Sequence, residues 1–307
     1  MAMANDFSSR KPWSQIQTVT WDSQTMVKIP KFYIKYHTPS SGTYSGKPCW
    51  EISDSAKTGF HVHPAFVKNN QETDYFLFGA YEASQNGTKA ESVSGKSPWV
   101  SITYDNSRAA CTARNTGSAG SQQYGWHMAN VWERMAVSLL CMIECGTPNA
   151  QVAIGNGNVS SSAAQTSGST DAQWRGIHEL WGNVWEWVDG FRGGSGYSGG
   201  KIRIFDNTGT ETYVETSQTW PSSGWTKTLS TATGTKYNLT DGLFAASVDG
   251  TEGNGITGDY SYATTTDYCA LVGGSWNVGS RAGLFCWYLG GNSSSTDADV
   301  GSRLACN

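Results

Sequence analysis

Two histidines stand two residues apart in Phe60-His-Val-His-Pro-Ala-Phe66. On a strand, His61 and His63 would point to one face, as a metal pair requires, but no carboxylate or third histidine follows at a matching spacing. Cys141 and Cys145 are four apart in an apolar run that reads as helix. They would make half of a zinc site, and no second pair of ligands lies nearby, so they are expected as buried free thiols. Cysteine totals seven, at 49, 111, 141, 145, 269, 286 and 306. An odd number without repeated close spacing argues against a disulfide scaffold. No Gly-x-Ser-x-Gly elbow, phosphate-binding loop or His-Glu-x-x-His occurs. The most demanding single residue is Glu186, set between Trp185 and Trp187. A carboxylate between two core indoles must be ion-paired, bonded to backbone N–H groups, or bound to a cation.

The elements that would position these residues are mostly short strands. Thr18–Trp21 and Met26–Tyr36 alternate, and Pro30 inside the second run suggests an edge or a bulge. Phe60–Phe66 and Tyr75–Glu82 read as two further strands. Ser107–Asn115 is a short helix candidate, and Trp126–Glu144 a long one, with Trp126, Val131, Met135, Leu139, Met142 and Ile143 at helical spacing and Gly146 and Pro148 as its stop. Residues 155–175 read as loop. Lys201–Thr216 reads as a hairpin about Asp206-Asn-Thr-Gly. Residues 217–268 are too long for a bare loop, and short strands are expected there.

Composition narrows the function. Of 307 residues 15% are charged, against about 25% in an average globular protein. With 14 Trp, 12% aromatic residues and a net charge of −4, neither disorder nor a coiled coil fits. Lys and Arg number 21 against 25 acidic residues, which leaves no footprint for nucleic acid. The most apolar stretch, Met135–Ile143, is far short of the roughly 20 residues needed to cross a membrane. The N-terminus shows neither a basic nor an apolar signal region, so a secretion signal of the usual kind is not expected.

Two segments are far more specific: Gly176-Ile-His-Glu-Leu-Trp-Gly-Asn-Val-Trp-Glu-Trp-Val-Asp189, and Leu271-Val-Gly-Gly-Ser-Trp-Asn277 closing on Gly301-Ser-Arg-Leu-Ala305. Together they resemble the formylglycine-generating-enzyme branch of the C-type lectin fold, over roughly residues 20–307. The resemblance implies an α+β, loop-rich chain with one or two helices. It implies a tail over 1–20 and a single domain over 21–307, with an inserted β-hairpin region at about 195–268. In that family the equivalent of Glu186 helps to hold a structural calcium; carried over, the ion would use Glu186, Glu179 and the carbonyls of Gly182 and Val184. Glu179 stands where the family has an amide. The alternative for Glu186 is a salt bridge or a set of backbone N–H bonds. The family's oxidase chemistry needs two cysteines, and the matching places here are Val278 and Gly283, with Cys286 alone and off register. No enzyme activity and no required cofactor are therefore expected.

The end of the chain is similar to another group on this fold, the variable proteins of diversity-generating retroelements, which include phage tropism determinants and bacterial lectin-like surface proteins. Their window matches Gly273-Gly-Ser-Trp-Asn-Val-Gly-Ser-Arg-Ala-Gly-Leu-Phe-Cys-Trp-Tyr-Leu-Gly-Gly-Asn-Ser-Ser-Ser-Thr-Asp-Ala-Asp-Val-Gly-Ser-Arg303. In that group adenines are randomised, chiefly in Asn codons, which cannot become Lys, Glu, Gln or Met. These four types number 40 in all and lie within residues 1–272, whereas the last 35 residues contain none where about five would follow from their frequency elsewhere. The resemblance implies a variable ligand-binding segment at 273–303, with Val278, Arg281, Phe285, Cys286, Tyr288, Gly290, Gly291, Asp297 and Asp299 clustered on one exposed face, while Trp276 and Trp287 stay fixed. It implies a protein or glycan receptor on a host or target cell surface as the partner. It implies a virion (phage tail) or cell-surface location, no nucleic acid and no membrane insertion, and it leaves room for a homo-oligomer.

Overall fold

The computed structural model describes residues 6–193, 200–263 and 268–307. Alternation drives its central feature, a large sheet of thirteen strands among the described residues. In chain order these are β1 (Gln17–Trp21), β2 (Gln24–Pro30), β3 (Tyr75–Glu82), β4 (Trp126–Met128), β5 (Trp185–Gly193), β6 (Lys201–Phe205), β7 (Tyr213–Thr219), β8 (Gly224–Leu229), β9 (Ala245–Asp249), β10 (Tyr260–Ala263), β11 (Tyr268–Val272), β12 (Trp287–Gly291) and β13 (Val300–Cys306). Their order across the sheet is β1-β2-β3-β13-β5-β11-β12-β10-β8-β9, with β4 beside β13 and the β6–β7 pair carried by β5. β13 is thus central: it is antiparallel to β3 and β4 and parallel to β5.

The N-terminal hairpin follows the period-two pattern, but the run expected over Met26–Tyr36 is split. β2 ends at Pro30, two residues beyond the last pair with β1 (Gln17 with Lys28), where a missing N–H costs β1 nothing. Tyr33–His37 then joins a separate small sheet with Cys49–Ser53 and His61–Val62. The strand expected over Phe60–Phe66 is only His61–Val62, because Pro64 starts a 3-10 turn through Phe66. Within the expected N-terminal tail, Trp13 is buried, and its indole N–H donates to the carbonyl of Leu140 (2.9 Å).

The helices are α1 (Tyr104–Thr112), α2 (Val131–Cys145) and the single turn α3 (Ala150–Ala153). α2 begins later than the apolar spacing suggests, because Asn130 caps it. The Asn130 side chain accepts from the N–H groups of Trp132 (3.0 Å) and Glu133 (3.1 Å), and the Glu133 carboxylate accepts from the Asn130 N–H (2.9 Å). Trp126 lies outside it, on β4, paired with Cys306. Gly146 ends α2 at φ 68°, a left-handed turn that glycine enters without steric cost. Cys141 and Cys145 are buried on this helix as free thiols.

The α2 side of the sheet carries the larger core, with Trp132, Phe191, Trp220, Phe244 and Trp287 in mutual contact. The opposite side carries a second core around Trp185, Trp187, Leu271 and Tyr104 of α1. In the region 195–268, β6–β7 form the expected hairpin, and β8, β9 and β10 extend the sheet beyond β12. Parts of it, residues 194–199 and 264–267, lie outside the described residues.

Candidate functional site: an aromatic row and cavity on a buried ionic frame

Successive residues of a strand point to opposite faces, so β5 divides its own sequence. Glu186 faces α2. Its Oε2 accepts from Arg134 Nη1 (3.1 Å), and its Oε1 from Arg303 Nε (2.8 Å) and Nη2 (2.5 Å). Arg303 further donates to the carbonyls of Gly79 (2.9 Å), His178 (2.8 Å) and Glu179 (2.9 Å), and Arg134 donates to that of Leu180. One carboxylate and two guanidiniums therefore tie α2, β3, β5, β13 and the 178–180 turn together. Glu82 extends this frame from β3, accepting from the Val184 N–H (3.1 Å) and from Asn183 Nδ2 (2.5 Å). Burial first, and then the charges of Glu179 and Glu186, push the Glu82 carboxyl well above the usual range.

The two sequence motifs meet here through backbone. The Gly182 N–H donates to the Gly273 carbonyl (3.2 Å) and the Trp276 N–H to that of Asn183 (3.0 Å). Gly182 lies at φ 73°, and a Cβ on it would come within 2.8 Å of the Asn158 carbonyl oxygen, so both conformation and space demand glycine. Trp276 itself is half-buried rather than a core indole, whereas Trp185 and Trp187 are buried as expected.

The residues expected around calcium do not fit the ion. Both oxygens of Glu186 are taken by guanidiniums, and a dication beside them would face two like charges. The Glu179 carboxylate is separately engaged, accepting from the N–H groups of Gly168 (3.0 Å) and Thr170 (3.3 Å) and from the Thr170 hydroxyl (3.2 Å). Glu186 is thus the salt bridge that the sequence left as the alternative. The histidine pair is likewise committed to Asp241: His61 Nε2 to its carboxylate (2.7 Å) and His63 Nε2 to its carbonyl (2.8 Å). Burial pushes His63 down to about 3, so it stays neutral near pH 7.

On the other face of the sheet, register places side chains in a row. Trp187 on β5 is opposite Leu271 on β11, Leu271 is opposite Tyr288 on β12, and Tyr288 is opposite Tyr262 on β10. Trp185 closes the group, its ring 5.7 Å from that of Tyr288 and 6.1 Å from that of Tyr262. The line continues through Tyr260 (4.5 Å from Tyr262) to Trp225 on β8 (4.8 Å from Tyr260). Arg281, exposed on the 3-10 turn Gly279–Arg281, lies over Tyr260 (5.0 Å) and Trp225 (5.8 Å). Beside Tyr288 opens a cavity of about 400 Å³, walled by Trp185, Trp187 and Tyr288. Gly290 and Gly291 leave its base open, and Ser295, Thr296, Asp297 and Asp299 line its rim.

The nine residues expected to share one exposed face therefore separate. Tyr288, Gly290, Gly291, Asp297 and Asp299 line the cavity, and Arg281 marks the far end of the aromatic row. Val278 is half-buried in the preceding turn. Phe285 and Cys286 do not belong to the exposed face: they are 2% and 0% exposed, Phe285 in the α2-side core and Cys286 in the opposite one. The cause is the turn before β12, where the Phe285 N–H donates to the buried Asp259 carboxylate (2.8 Å) and draws the chain inward. Burial raises Asp259 to about 8. Burial also pushes the Cys286 thiol well up, so no reactive thiolate replaces the cysteines missing at Val278 and Gly283.

Sequence reasoning missed Trp225, Tyr260 and Tyr262 and took Trp185 for pure scaffold. A signal did exist in Tyr260-Ser-Tyr262-Ala, where aromatic and small residues alternate as on a half-exposed strand.

No family model matches the sequence, and no curated protein matches it. Among solved structures, the chain is similar to Treponema denticola variable protein 1, with 14% identity and a TM-score of 0.43 over 95% of this chain and 98% of that one. It is also similar to two Major Tropism Determinant variants. The U1 variant gives 15% identity and a TM-score of 0.37 over 91% of this chain and 72% of that one. The I1 variant gives 14% identity and a TM-score of 0.38 over 100% and 86%.

Proposed function

We propose that this protein is a non-enzymatic binding module on a C-type lectin-like fold, and that its C-terminal segment displays a rewritable contact surface for a receptor on a host or target cell. A phage tail receptor-binding role is the first setting, and a bacterial surface variable protein the second. One observation carries the reading. The aromatic row and the cavity rim draw on Tyr288, Asp297, Asp299 and Arg281, while the bonds that hold the sheet together run through Glu186, Arg134 and Arg303 on its other face. A surface can be rewritten only if folding does not depend on it, and here the two tasks fall to different residues.

The test is a pair of libraries. Simultaneous randomisation of Arg281, Tyr288, Asp297 and Asp299 should leave most members resistant to protease and should yield binders to unrelated target proteins on selection. Randomisation of Glu186, Arg134, Arg303 and Phe285 should leave almost none folded. Equal losses in both libraries would reject the proposal. A near-copy of the coding bases for residues 273–303, differing at adenines and lying beside a reverse transcriptase gene, would establish the source of variation.

A further inference from the structure

We propose, resting on the binding role above, that the cavity beside Tyr288 takes an organic cation: an alkylammonium or guanidinium group presented by the receptor. Three features of the cavity converge on that chemistry. Its walls are the rings of Trp185, Trp187 and Tyr288, whose faces carry the negative end of the aromatic quadrupole. Its rim holds two carboxylates, Asp297 and Asp299, and among the described residues no lysine or arginine lines it. Both carboxylates are oriented from within the chain. Asp299 Oδ2 accepts from the Ser275 hydroxyl (2.6 Å), and Asp297 Oδ1 from the Ala298 N–H (2.7 Å). The second oxygen of each has no hydrogen bond among the described residues and is left for a ligand.

The same row of rings already holds a cation at its other end, where the Arg281 guanidinium lies over Tyr260 and Trp225. The cavity end has the rings and the carboxylates but no cation of its own. Room for one exists because glycine stands at two positions. A Cβ at Gly290 would come within 2.7 Å of the Tyr288 ring, and one at Gly291 within 3.0 Å of the Trp187 ring. A neutral sugar would also stack on these rings and could donate its hydroxyls to the carboxylates, but it would leave their two charges uncompensated. An anion would be repelled.

The experiment follows the indole N–H resonance of Trp185, assigned with Trp185→Phe, as the intact protein is titrated with four probes. These are choline, N-acetyl-arginine methylamide, 3,3-dimethyl-1-butanol (the neutral shape-match of choline) and methyl α-glucopyranoside. One or both cations should shift the resonance saturably, and the neutral alcohol should bind at least about tenfold more weakly. Tighter binding of choline points to a quaternary head group as the source, and tighter binding of the arginine derivative to a protein side chain. Asp297→Asn with Asp299→Asn should weaken cation binding about tenfold with the melting temperature retained, and raised salt should weaken it in the parent protein. Tyr288→Leu, which keeps an apolar wall without a ring face, should do the same. Equal binding of choline and the alcohol, saturation by the glucoside alone, or no shift with any probe would overturn the cation assignment. The library comparison can succeed whatever this titration shows, so failure here is distinguishable from failure of the binding role.

Discussion

The two faces of β5 solve opposite problems with neighbouring residues. Glu186 points towards α2 into a region where charge is confined and every polar contact is internal. Trp185 and Trp187 point the other way, towards a cavity where an aromatic wall meets solvent. On the first face, loss of one partner leaves an unpaired buried charge; on the second, loss of an indole leaves a void in the second core beside the cavity. Paired charges thus brace the fold on one face in addition to its aromatic core, while on the other face buried indoles back the cavity.

The sharpest way to break this comparison is at Glu186. Glu186→Gln removes the carboxylate that pairs both buried guanidiniums and should cost about 3–5 kcal/mol, read by denaturant unfolding. A loss under about 1 kcal/mol would show that the frame does not hold the sheet. Phe285→Ala should cost a similar amount, about 3–5 kcal/mol, as a large-to-small change in the core. That outcome would separate Phe285 from the exposed residues near it in sequence.

Asp259, beneath the turn that carries Phe285, gives an intermediate effect with a pH signature. Its folded value of about 8 lies above its unfolded value of about 4. Between the two, the folded state binds the extra proton, so this residue lowers stability progressively as pH rises from about 4 through 8. Asp259→Asn should remove that fall, so its gain in melting temperature over the parent should be larger at pH 8 than at pH 5. A gain independent of pH would contradict the assignment.

At the proposed contact surface the expected effects on folding are small. Arg281→Ala should change stability by no more than about 0.5 kcal/mol, and Tyr288→Ala, half-buried, by little more. Unfolding by Tyr288→Ala would merge the two faces into one core and end the comparison. Smallest of all is the effect of a chelator. With both Glu186 oxygens held by arginines, the melting temperature should not move.

Much of the scaffold was legible because it rests on local rules. The stop of α2 follows from Gly146 and Pro148, the β6–β7 hairpin from its turn residues, and the burial of Trp185 and Trp187 from their motif. The start of α2 was misplaced because the apolar stripe continues through Trp126, whereas the Asn130 cap decides where the helix begins. The site was only half legible. Tyr288, Asp297 and Asp299, named from their place in the segment, line the cavity, and Arg281 lies over the far end of the aromatic row. Phe285 and Cys286 were misjudged because they precede β12 in an irregular turn, where no periodicity tells inside from outside. Tyr260 and Tyr262 stayed hidden because their position depends on a parallel pairing between β10 and β12, a contact distant in sequence that no local pattern announces.

The central position of β13 has a consequence for how errors are tolerated. This strand, Val300–Cys306, overlaps the end of the segment 273–303 and contributes edges to β3, β4 and β5 at once, together with the Arg303 guanidinium. A stop codon or frameshift upstream removes the strand entirely. The rest of the sheet is then left as two halves with unpaired edges and a buried glutamate lacking one of its two arginines. Such a product cannot pass as a folded protein with a damaged tip; it fails whole and is open to proteolysis. Only chains read through in frame reach the native state, so the architecture discriminates against truncated products.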